Sequence, residues 1–322
     1  MRFDIANPLK GLQEITTITK QVFDAHIHLW AGDQTHLFNT WARHYYGHYS
    51  YLGMGNPETK TKIEELQLAD NVAFTYFLGV KEFGQYNTKE LVRQVDEAHH
   101  NGYSIIKIWF APRFVDFVEA ETPYNIADPR LDQVYERIQD YSQKVIIHVA
   151  DPDLWYLSKY GDSDRYGSKK ERMAEFESVL ENFRHIPFIS AHLGCWPENL
   201  PALEKMLSRN PNLFLDTGST RWMIRELGKH PKISRGWIIK HAQRILWGSD
   251  LSIAKEKVFP EYWATRFWSH RLFWETDLEG ELPFQDIDNP FGTRIKGLNL
   301  PKSTLRQIYY RTAEKLLHLS PV

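Results

Sequence analysis

Phe23-Asp24-Ala25-His26-Ile27-His28-Leu29-Trp30 decides how this chain is read. The run from Val22 to Leu29 has the length and apolar content of a buried strand. Side chains alternate across a strand, so His26 and His28 project to the same side. Two imidazoles so placed can hold one metal ion together. In a chain with 14 histidines the pair alone is a weak signal.

Other strand ends strengthen the signal. His148 stands near the end of a second apolar run, Val145–Ala150, and His192 closes a third, Phe188–His192. A fourth, Ile245–Gly248, runs directly into Ser249-Asp250. Val72–Val80, Ile105–Phe110 and Leu213–Thr217 are further candidate strands. Between them lie segments with helical spacing: Lys89–His100, Leu131–Tyr141 (opened by Asp128-Pro129), Arg172–Phe183 and Leu200–Ser208, with Arg306–Leu317 closing the chain. Strands alternating with helices indicate a parallel sheet. The expected fold is α/β, a (β/α)8 TIM barrel, whose strand ends converge on one face. Three imidazoles and a carboxylate on that face are the nitrogen and oxygen donors that a zinc-like divalent ion takes.

A closed barrel needs one strand more than these runs supply. The missing strand is expected within Trp30–Lys60 or around Gly84–Thr88. Residues 1–322 are read as one domain, with 30–60 and 251–301 as insertions after the first and last strands, placed to wall or cover a site.

Composition excludes several function classes. The 322 residues carry a formal net charge of -2, which gives no electrostatic case for nucleic acid or an anionic membrane. Mean hydropathy is -0.49, and no run approaches the length of a membrane span. The single cysteine, Cys195, rules out an intramolecular disulfide and Cys-rich zinc modules. The N-terminus lacks the apolar core of a signal peptide, so a cytoplasmic protein is expected. The 11 tryptophans suit either an aromatic-lined pocket or a thick aromatic core.

The order HxH, His, His, Asp on successive strand ends resembles the amidohydrolase superfamily, most closely its amidohydrolase-related branch. That branch includes aminocarboxymuconate semialdehyde decarboxylase and related aromatic-acid decarboxylases. FDAHIHLW, GYSIIKIWFAP, DPRLDQVYERIQDYSQKVIIHVADP, FISAHLGCW, LFLDTGS, ILWGSDLS and LRQIYYRTAEKLLHL carry the likeness, from residue 22 to 319. The resemblance implies that His26, His28, His148 and Asp250 contact the metal. It implies that His192 is a catalytic imidazole or a ligand of a second metal. Lys107 falls where some members carry a carboxylated, metal-bridging lysine. The chain departs from the family in Arg311-Thr312-Ala313, where Asn usually precedes the Ala, and in the large Trp-rich stretch 262–277.

Arg113 and Arg221 follow strand ends and could grip a substrate carboxylate with two prongs. Trp109, Trp196 and Trp222 could flank a planar substrate. The expected function is metal-dependent hydrolysis of a small amide, ester or lactone, with Asp250 as general base toward a metal-activated water. The cofactor is one divalent ion, zinc first and manganese second. The alternative keeps the metal and removes carbon dioxide from an aromatic or unsaturated acid. A lesser alternative is a barrel that binds a ligand without catalysis. Some lactonases of this superfamily also work without metal. The expected partner is a small-molecule substrate, and a homodimer is the assembly considered.

Overall fold

The computed structural model describes residues 1–10, 12, 21–79, 87–117, 125–257, 259–289 and 291–319. The chain forms two compact units, one of Met1–Ala73 with Asp216–Val322 and the other of Phe74–Leu215. No described helix is long and apolar enough to cross a membrane.

In the first unit, β1 (Gln21–Leu29) lies between β2 (His48–Gly55) and β9 (Leu251–Ile253), parallel to both. A bulge shifts the β1–β2 register between Asp24 and Ile27, where His26 sits. Bulges re-aim side chains, and this one falls at the histidine pair. β8 (Ile245–Leu246) is tied in by Thr217 N–H, which donates to Leu246 O at 3.1 Å.

The strand missing from the sequence reading is β2, inside residues 30–60. Its sequence, HYSYLGMG, lacks the β-branched residues that mark strands, and its burial comes from tyrosine, leucine and methionine. A helix over Thr35–Tyr46 precedes it, so 30–60 is a helix and a strand rather than a loop. The alternative location, Gly84–Thr88, lies mostly outside the described residues. Residues 251–301 likewise begin as β9. Asp250, at φ 60, bends the chain between β8 and β9. The same segment then forms the helix Pro260–Glu275 and a small hairpin of β10 (Glu279–Glu281) and β11 (Arg294–Lys296).

The helix Pro260–Glu275 shows no amphipathic face, because Trp263, Phe267, Trp268, Leu272, Phe273 and Trp274 are buried around its whole circumference. With Phe38, Tyr46, Tyr49, Trp247 and Tyr309 they build an aromatic core with many edge-on ring contacts. Three of these buried indoles find an acceptor: Trp263 Nε1 donates to Ser252 O, Trp268 Nε1 to Lys10 O and Trp274 Nε1 to His270 Nδ1. Of the two readings of the tryptophans, the core reading holds for these.

The second unit carries β3 (Val72–Phe77) from Phe74 on, β4 (Ile105–Trp109), β5 (Lys144–His148), β6 (Phe188–Ser190) and β7 (Leu213–Asp216) as far as Leu215, each parallel to the next. Helices Thr88–His100, Asp132–Asp140 and Lys169–Asn182 alternate with them, as the pattern predicts. Polar caps set their starts. Asn87 accepts from Glu90 N–H, Asp128 accepts from Arg130 N–H in the turn ahead of Asp132, and Ser168 with Glu171 forms a reciprocal box. The closing helix is interrupted by a π-type turn over Gln307–Arg311.

Candidate active site

The first unit assembles a cluster from the ends of β1 and β8. His26 Nε2 lies 3.4 Å and His28 Nε2 3.2 Å from Asp250 Oδ1. The alternation argument therefore holds, and both imidazoles meet the strand-end aspartate that the sequence pointed to. One donor atom from each residue falls within 4.8 Å of the others, a spacing that one ion can bridge. Two imidazole nitrogens and a carboxylate oxygen suit zinc or manganese.

Two aspartates that the sequence reading passed over hold this cluster in place. Asp216, at the end of β7, sets its Oδ2 2.8 Å from His26 Nδ1 and accepts from Gly218 N–H through Oδ1. A proton on Nδ1, donated to this carboxylate, leaves the Nε2 lone pair for the cluster. Asp24 ties β1 to the β8 bend. It accepts from His26 N–H and Ser249 N–H at 3.0 Å each, and from the Tyr49 hydroxyl at 2.5 Å. Burial pushes its carboxyl up to about 6, against the pull of Ser249, Tyr49 and His26. Asp250 N–H closes the bend on His26 O at 2.9 Å. Gly248 allows a close approach here, because a Cβ on it would stand 3.0 Å from His26 Cβ. Both aspartates sit inside the fragments FDAHIH and LFLD; their signal is an acid within an otherwise apolar strand.

His28 and Asp250 open onto a cavity of about 560 Å³, lined also by Trp30, Arg221, Lys257, Tyr262, Arg266 and Phe284. Trp30 stacks on His28, ring centroids 5.9 Å apart. Arg221 thus lines the cavity. Trp222, the next residue, does not line the cavity; it is 4% exposed and packs into the core of the unit. The sequence reading missed Arg266, Tyr262 and Lys257, since they lie in a segment read as a loop.

The second unit holds the remaining expected residues. His148, at the end of β5, and His192 stand edge to face with ring centroids 4.5 Å apart. His192 lies past the end of β6 in a left-handed stretch with Leu193, Gly194 and Cys195. His148 Nε2 sits 3.0 Å from Ala150 O and 3.1 Å from Asp151 Oδ1, which leaves Nδ1 as its ring atom for a metal. Burial would raise the Asp151 carboxyl, but His148 and the Tyr160 hydroxyl together hold it below its ordinary value. Lys107 is buried on β4. Trp109 packs against Phe114 and Phe117, exposed Arg113 lies 5.3 Å from the Phe117 ring centre, and Trp196 faces Lys169. Burial pushes the Cys195 thiol up to about 11, so it is no nucleophile at neutral pH.

Comparison with known proteins gives the class and then the family. An uncharacterized TIM-barrel protein from Bordetella bronchiseptica matches over 92% of this chain and 98% of its own, with a TM-score of 0.56 and 14% identity. A proposed 2-pyrone-4,6-dicarboxylic acid hydrolase from Pseudomonas putida matches over 94% and 99%, with a TM-score of 0.53 and 10% identity. A second proposed hydrolase of that kind, from Acinetobacter baumannii, matches over 93% and 100%, with a TM-score of 0.54 and 10% identity. At these identities the likeness is one of fold, and the fold is that of a TIM barrel. A family model described as Amidohydrolase matches residues 23–319, and the chain belongs to this family. No curated protein matches it.

Proposed function

We propose that this protein is a metal-dependent hydrolase of a small amide, ester or lactone. The observation that supports it most is the convergence of His26 Nε2 and His28 Nε2 on Asp250 Oδ1, with Asp216 fixing the His26 ring from behind. His26, His28 and Asp250 would hold a divalent cation, zinc or manganese. Such an ion acidifies water and polarises a carbonyl oxygen.

The protein's own groups do the rest. Asp250 takes the proton from the attacking water and returns it to the leaving atom. The Nδ1–Asp216 contact keeps His26 in one tautomer and one orientation. Trp30 and Tyr262 cover part of the cavity and limit bulk water around the reacting bond.

The test is a panel of small lactones, esters and amides turned over in 18O-labelled water. The expected result is label in the product acid, with Asp250→Asn slower by on the order of 10²–10⁴-fold. Carbon dioxide release from an aromatic acid, without label uptake, would replace hydrolysis by decarboxylation.

A further inference from the structure

The cavity beside His28 and Asp250 is unusually basic. Its lining carries Arg221, Lys257 and Arg266 against a single carboxylate, Asp250. The Arg266 guanidinium is clamped between two rings, 4.1 Å from the centre of Tyr262 and 4.0 Å from that of Phe284. Its Nη1 donates to Tyr262 O at 2.9 Å, which fixes the direction of the fork. Arg221 Nη1 reaches Gln285 O at 3.5 Å. Among the described residues, neither guanidinium has a carboxylate within 4.0 Å. The contrast with Arg225, one turn beyond Arg221 on its helix, is direct: that side chain pairs with Glu226 and Asp286. Burial, and then the neighbouring Arg221 charge, push Arg266 down to about 10. Two guanidiniums kept in one partly dry pocket, neither paired with a carboxylate, repel each other, and an incoming anion relieves that cost.

We propose that Arg221 and Arg266 form a receptor for the carboxylate of a small substrate, so that the enzyme acts on an acid whose carboxylate is gripped at the guanidinium end of the cavity. A planar fork matches the two oxygens of a carboxylate, and the Tyr262–Phe284 clamp removes the entropy that a mobile arginine would lose on binding. The cavity volume suits a molecule of metabolite size. This inference rests on the proposed reaction only in taking His28 and Asp250 as the reacting end. It makes Arg266, on the Trp-rich helix that departs from the family pattern, a specificity-determining residue.

The test is calorimetric binding of terephthalate, isophthalate and glutarate, each beside its neutral diamide, to metal-loaded and chelator-stripped protein. Phenyl phosphate is the competing anion. At least one dicarboxylate is expected to bind the stripped protein ten or more times more tightly than its diamide. Arg266→Met and Arg221→Met should each remove at least tenfold of that preference, and Arg266→Lys should recover only part of it. Metal content should be unchanged in all three variants. No preference in the stripped protein, a preference indifferent to both Met variants, or tighter binding of phenyl phosphate than of every dicarboxylate would overturn the proposal. A failure of the metal reading appears separately, as wild-type protein that takes up no metal yet still prefers the dicarboxylate.

Discussion

His26 Nδ1 stands 2.8 Å from Asp216 Oδ2, and both side chains are within 1% of complete burial. A buried carboxylate needs a partner, and this one has the imidazole and the Gly218 N–H. The pair therefore fixes which ring nitrogen of His26 carries the proton. Asp216→Asn offers an amide N–H to Nδ1 and drives the proton to Nε2, the atom that faces Asp250. Metal affinity should fall by roughly 10–100-fold with little change in far-UV circular dichroism. Competition with a chelating dye measures it.

Gly248 tests how tightly the strands must approach. Its missing Cβ leaves His26 Cβ room at 3.0 Å and Gly218 N at 3.4 Å. His26 cannot yield, because Asp24 holds its N–H and Asp216 its ring. Gly248→Ala should cost about 1–3 kcal/mol in urea unfolding and weaken metal binding as well. A stable variant with unchanged metal affinity would show that the approach is not required.

His270 supplies a pH dependence of its own. Trp274 Nε1 donates to its Nδ1, so Nε2 carries the proton toward Thr220 Oγ1. Burial pushes its pKa from 6.5 down to about 3. As pH falls below 6.5 the unfolded chain takes up a proton that the folded chain refuses. The folded state should thus lose about tenfold in the folding equilibrium per pH unit between 6.5 and 3, and nothing from this group above that range. Urea titrations of wild type against His270→Gln, from pH 7 to pH 4, isolate the contribution.

Arg271 and Glu275 form a buried bidentate pair on the Trp-rich helix, with Tyr309 donating to Glu275 at 3.0 Å and Arg271 donating to Tyr45 O at 2.9 Å. Arg271→Met strands the Glu275 charge in an aromatic core and should cost about 3–5 kcal/mol. Arg271→Met with Glu275→Leu should recover much of it, because the stranded charge is gone.

What the sequence made legible followed from how local each signal was. FDAHIHLW and WGSD each announce a strand followed by a polar end, and the residues that meet are His26, His28 and Asp250. β2 fell within 30–60, one of the two regions expected to hold it, but its bounds could not be read because tyrosine and glycine, not valine or isoleucine, fill it. Asp24 and Asp216 escaped because their partners lie on other strands, far away in sequence. Arg266 could not be found from periodicity, since its helix is apolar on every side and an arginine there has no evident polar face. Trp222, read as a substrate contact, and Trp30 look alike in sequence, and only burial separates them.

In the proposed reaction, His26, His28 and Asp250 hold a divalent ion. Elemental analysis of the purified protein, beside a His26→Ala, His28→Ala double variant, tests it most directly. About one equivalent of zinc or manganese in the wild type, lost in the variant, is the predicted result. Wild-type protein that binds neither ion, even after both are supplied without chelator, or a variant with unchanged metal content, would contradict it.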